Sequence, residues 1–134
     1  MNAIMTHKPT DYLDRKTADR LRKILVFVFC LAVAVLTHES LLPSIGAPSL
    51  NYWDKLVHYM AYFFLAGLAL FAFVRAKLLA LFIVLSLLGG GLEIGQALMD
   101  TGRDGTWGDQ LANMLGAATP LLLWYIFCRI KKPA

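Results

Sequence analysis

The sequence predicts an all-α protein: an antiparallel four-helix bundle that spans a membrane, with both termini cytoplasmic. Three observations carry this. First, 58% of the 134 residues are apolar and the mean hydropathy is +0.59, more apolar surface than a soluble domain of this size can bury. Second, the apolar residues fall into four runs, each bounded by breakers or charges. Third, Lys and Arg sit almost entirely on alternate connections. Six lie in the N-terminal arm (Lys8, Arg15, Lys16, Arg20, Arg22, Lys23), two between the second and third runs (Arg75, Lys77) and three in the tail (Arg129, Lys131, Lys132). The other two connections hold only Lys55 and Arg103. Under the positive-inside rule the arm, the second connection and the tail are cytoplasmic.

Residues 1–23 read as a basic cytoplasmic arm, with Asp11, Asp14 and Asp19 interspersed and a short surface helix starting near Asp11. Each Lys or Arg near an anionic surface adds about 1 kcal/mol of attraction. The membrane domain follows over 24–130, with helices at about 24–42, 54–74, 78–99 and 109–129. The first is Ile24 to Leu42, stopped by Pro43. A basic stretch before a short apolar run also describes a signal peptide, but no small-x-small cleavage site follows. Pro43, Gly46 and Pro48 break the next connection. The second run, Leu56 to Val74, follows Tyr52 and Trp53, aromatic rings suited to a membrane interface. The third, Leu78 to Met99, can cross a hydrocarbon core of about 30 Å. The fourth, Leu111 to Cys128, carries Trp124 and Tyr125 as an inner aromatic belt and a kink-prone Pro120.

Cys30 and Cys128 both lie in apolar runs and read as small hydrophobes rather than a disulfide or metal pair. No nucleic-acid motif, phosphate loop or zinc spacing is present, so neither nucleic acid nor a cofactor or metal is expected. His58, Glu93 and Asp109 form a conceivable metal set, but without a recognised ligand spacing. Gly91-x-x-x-Gly95 and Ala112-x-x-x-Gly116 predict that the third and fourth helices pack tightest.

The polar residues within the apolar runs are more informative, because such groups are costly at membrane depth. Asp54 and His58 are four apart on a helix, with Tyr62 one turn deeper. A carboxylate beside an imidazole favours its charged form or fixes its tautomer. Glu93 and Gln96 share a face of the third helix. Asp109, Asn113 and Gly116 step down one face of the fourth. Lys55 opens the second helix, and Arg103, in the last connection, is the expected partner of Glu93. The rise of about 1.5 Å per residue puts His58, Glu93 and Asn113 one to two turns below the outer surface. Each residue also has a plain structural role open to it. Asp54, Lys55 and Asp109 sit at helix starts, where acids cap backbone donors. His58, Gln96 and Asn113 can join helices by hydrogen bonds. It is their convergence that points to a site.

Asp54-Lys55-x-x-His58-x-x-x-Tyr62, then Glu93-x-x-Gln96, Arg103 and Asp109-x-x-x-Asn113-x-x-Gly116 resemble the VanZ-like family of small bacterial membrane proteins. The resemblance covers about residues 50–120. It implies a multi-pass protein of the bacterial inner (cytoplasmic) membrane, in a family named for a member associated with resistance to the glycopeptide teicoplanin. Three functions stay open. The outer pocket binds a lipid or wall-precursor head group, with Lys55, Tyr62, Gln96, Arg103, Asp109 and Asn113 as ligands. Alternatively, the chain is an intramembrane enzyme acting on such a head group, with His58 as general base or nucleophile, Asp54 orienting it, Glu93 carrying protons and Arg103 stabilising negative charge. Transport is the third, disfavoured because the polar groups are confined to the outer half. Membrane lipids are the expected partners; the sequence sets no oligomeric state. The 11-to-2 division of basic residues predicts that cysteine labelling at Ser49 and at Thr106 finds both positions outside; an inside result at either overturns the orientation.

Overall fold

The computed structural model describes residues 9–42, 51–99 and 106–131. These form four helices and no strands: α1 (Pro9–Leu41), α2 (Asn51–Ala72), α3 (Leu78–Leu98) and α4 (Trp107–Ile130). All four are long and apolar enough to cross a membrane. Their large apolar side chains point outward: Phe27, Phe64, Leu87 and Leu98 are all exposed, while Glu93, Gln96, Asp109 and Asn113 are buried. Lipid is the solvent such a surface requires. The chain is a multi-pass membrane protein.

α1 differs from the expected short surface helix followed by a separate span. It is one continuous helix of 33 residues. Proline is well placed at its first position, where no backbone donor is needed. No Gly or Pro follows before Leu41, so nothing breaks the helix as it passes from the polar stretch into the apolar run. At about 1.5 Å per residue it exceeds the membrane core.

Successive helices run antiparallel, so α1 begins and α4 ends at the same end of the bundle. α2 occupies the centre, touching α1, α3 and α4, and its interface with α4 is the most extensive. This corrects the expectation that α3 and α4 pack tightest. The reason lies in where the small residues face. A Cβ on Gly116 would overlap the backbone carbonyl of Tyr59 on α2, whereas a Cβ on Gly91 would meet nothing within 4 Å. Gly91 points away from the bundle; Gly89 faces α4 against Gln110 and Asn113, with Gly90 also beside Gln110. Ala66, Ala69, Ala112 and Ala117 are buried with Gly116. The parallel α2–α4 pair is thus drawn together by small side chains, the usual basis of close helix packing in lipid.

The apolar core is Tyr62, Leu65, Ala66, Leu85, Ala117 and Leu121, with Phe29, Ala32, Val33 and Leu36 of α1 packed against it. At the end nearer the termini, Arg22 donates to the carbonyl of Ala72 at 3.4 Å, satisfying an acceptor left open where α2 stops. A tight turn, closed by Ala76 N–H to the Phe73 carbonyl at 2.8 Å, leads into α3. Phe29 meets Phe73 edge-on at 5.1 Å.

Gly116→Ala is expected to destabilise the bundle by about 1–3 kcal/mol through overpacking, and Gly91→Ala to be neutral or stabilising by up to about 1 kcal/mol through helix propensity. Unfolding midpoints in mixed micelles measure both. Equal midpoints for the two variants would contradict this packing.

Candidate functional site

At the end of the bundle away from the termini, α2, α3 and α4 each deliver polar side chains to one level. Glu93, on the last turns of α3, is 7% exposed. Its Oε2 accepts the backbone N–H of Thr106 at 3.1 Å. Its Oε1 accepts Asn113 Nδ2 at 3.3 Å and lies 3.5 Å from His58 Nδ1. His58 Nδ1 also lies 3.0 Å from Asn113 Oδ1. Asn113 is 1% exposed, so its amide is committed on both sides: oxygen to the imidazole, nitrogen to the carboxylate.

These bonds fix the state of the ring. Nδ1 faces two acceptors, the Asn113 carbonyl oxygen and the Glu93 carboxylate, so Nδ1 carries a proton. In the neutral ring Nε2 then presents the lone pair.

Asp109 anchors a second knot. Lys55 Nζ donates to Asp109 Oδ1 at 2.9 Å, an ion pair between a part-exposed ammonium and a buried carboxylate. The Thr106 hydroxyl donates to Asp109 Oδ2, and Asp109 N–H returns a bond to Thr106 Oγ1 at 3.2 Å. Thr106 is therefore the N-cap of α4. In the usual capping box the residue at N3 accepts the cap's own backbone N–H; here Glu93 of α3 accepts it, and the cap joins two helices. Close passage of Lys55 over Gly108 helps: a Cβ there would sit 2.7 Å from Lys55 Cε.

The structure thus brings His58, Glu93, Asp109, Asn113 and Lys55 into one connected cluster. Asp54 stands at its rim, with a carboxylate oxygen within 4.8 Å of ligand atoms of His58 and Asp109. Lys55 pairs with Asp109 rather than with Asp54, and it is Asn113 and Glu93, not Asp54, that hold His58 Nδ1. Tyr62 lies beneath His58, 1% exposed, its hydroxyl without a partner among the described residues. Gln96 turns away from the cluster and donates to the Ser40 carbonyl at 2.8 Å, tying α3 to the end of α1. Arg103, the expected partner of Glu93, lies outside the described residues.

No protein-family model, curated protein or solved structure matches the chain. The cluster is therefore read from its own chemistry.

Sequence reasoning missed three participants. Thr106 was visible as Thr-x-x-Asp at the head of an apolar run, a capping signature. Ser40 contributes only a backbone oxygen, which carries no sequence signal. Gln110 donates to the Ser86 carbonyl at 3.0 Å; its place one turn from Asn113 marks the α3-facing side of α4. A further tie joins the Tyr59 hydroxyl to Thr119 at 3.1 Å, deeper along the α2–α4 seam.

Asn113→Ala removes one partner from buried Glu93 and one from part-buried His58 and is expected to cost about 1–3 kcal/mol. Gln96→Ala, which breaks one bond to a carbonyl at the helix end, is expected to cost about 0.6 kcal/mol. Reversible unfolding in mixed micelles separates them; a cost for Gln96→Ala above that of Asn113→Ala would overturn the central place given to Asn113.

Proposed function

We propose that this chain is a VanZ-like protein of the bacterial cytoplasmic membrane and that its polar cluster binds the head group of a lipid or a lipid-linked wall precursor at the outer face. The carrying observation is the buried, bonded set Glu93–Asn113–His58, with Lys55–Asp109 beside it, at one end of an otherwise apolar bundle. That is the level at which head groups lie when the basic ends of the helices face the cytoplasm. A cation on a part-exposed stem, as in Lys55, suits phosphate, and the acids and amides suit hydroxyl or amine groups. An apolar groove of about 430 Å³ between α1 and α2, lined by Ala32, Val35, Leu36, Ala61, Phe64 and Leu65, reaches Glu39 near the same end. It supplies a path for an acyl chain alongside a bound head group.

A second reading, an enzyme acting on such a head group, is favoured by the His58 tautomer. Nδ1 held by Asn113 and Glu93 leaves Nε2 as a base or nucleophile, the arrangement that general-base catalysis needs. Glu93 and Asn113 then take the positioning role, and Asp54, at the rim, stands nearer the incoming ligand.

Lipid and wall-precursor profiling of a deletion strain tests both readings. Glu93→Gln and His58→Ala are expected to insert and accumulate as wild type does, yet to fail to restore the profile. A specific precursor accumulating in the His58→Ala strain points to chemistry. Abundance that falls in step with the phenotype would reduce the cluster to a structural role.

A further inference from the structure

We infer that Asp54, His58 and Asp109 form a binding site for a divalent transition-metal cation, Zn2+ in the first instance. The trio joins two helices: Asp54 and His58 stand one turn apart on α2, and Asp109 opens α4. One ligand atom from each lies within 4.8 Å of the others. Zinc bonds of about 2.0–2.2 Å to oxygen or nitrogen set neighbouring ligand atoms about 3 Å apart, so binding requires the Asp54 and Asp109 carboxylates to draw in around the ion, Asp109 exchanging its bond from Lys55 for the metal. The sequence pattern suggested a different trio, with Glu93 in place of Asp54. Glu93 is instead spent on Thr106 N–H and Asn113.

Two further observations point to a cation. The first is the second layer around His58. A metal-bound imidazole almost always donates its other ring N–H to a carboxylate or carbonyl oxygen, which fixes the tautomer and raises the ligand's basicity. His58 Nδ1 has both kinds of acceptor, Asn113 Oδ1 at 3.0 Å and Glu93 Oε1 at 3.5 Å. The second is the charge inventory. Asp54, Glu93 and Asp109 stand close together here, and among the described residues Lys55 is the one Lys or Arg that pairs with any of them. Lys55 can yield to the metal, because its part-exposed side chain can swing outward while Asp109 stays buried. Two carboxylates and one imidazole suit Zn2+ or Mn2+ better than Ca2+, which takes oxygen ligands. Three protein ligands leave coordination positions open.

The inference does not depend on the head-group reading, since its probe is the ion alone. The full chain in nanodiscs, stripped with a chelator, is titrated with Zn2+ in competition with a chromophoric chelator, and Co2+ spectra report imidazole ligation. One saturable Zn2+ per chain is expected, with a raised unfolding midpoint. Asp54→Asn, which conserves shape at a part-exposed position, and His58→Ala should each weaken binding at least about tenfold. His38→Ala, which alters the exposed His38–Glu39 pair, should leave it unchanged. Lys55→Met should tighten binding, because the competing ammonium is gone; a purely structural role for the trio predicts no such gain. The inference is overturned if wild type binds no saturable Zn2+. It is equally overturned if folded Asp54→Asn and His58→Ala bind as wild type does, or if binding follows His38 rather than His58.

Discussion

A carboxylate in the last turns of a membrane helix must find its hydrogen-bond donors within the protein, and Glu93 sets that requirement for the whole distal end of the bundle. Few water molecules reach a group that is 7% exposed, and an unsatisfied charge there is costly. Its donors come from two other elements: the backbone of Thr106 and the amide of Asn113, with His58 of α2 close by. One side chain therefore ties together the start of α4, one face of α4 and one face of α2.

The packing follows from the same demand. Asn113 can reach both His58 and Glu93 only if α2 and α4 lie very close, and Gly116, one turn deeper, removes the side chain that would hold them apart. The Lys55–Asp109 pair above and the Tyr59–Thr119 bond below line the same seam. Apolar packing in lipid gains little from a hydrophobic driving force, since the acyl chains are as apolar as leucine. Close contact and interhelical hydrogen bonds do that work here, with Tyr62, Leu85 and Leu121 filling the space beneath them.

The polar cluster would also link stability to the ligand binding proposed for it. The bonds that hold three helices in register are the ones that orient His58 and leave Asp54 and Asp109 beside it. A head group or a cation entering at this rim would meet side chains already held in place, which lowers the entropic cost of binding. Lys55 is the adaptable member: its stem packs over Gly108 while its ammonium reaches Asp109 from a part-exposed position.

The helices themselves were legible from the sequence, because hydropathy and the lengths of the apolar runs depend only on the bilayer and on backbone geometry. So was the gathering of His58, Glu93, Asp109 and Asn113 toward one end, since each stands at a countable distance from a helix terminus. Lateral relations were not. Gly91 and Gly116 look alike in sequence, each in a small-x-x-x-small pattern, yet one faces outward and the other lies against the Tyr59 backbone. Gln96 and Glu93 share a helix face in projection, yet Gln96 turns to Ser40 and Glu93 to Asn113. Lys55 follows Asp54 directly in sequence, yet tertiary contact pairs it with Asp109. Sequence determines where a polar group stands along the membrane normal, because that coordinate is the rise per residue. Only the packed structure decides which neighbour it meets, because that depends on the rotation of each helix about its axis, set jointly by small residues and by the bonds of Glu93.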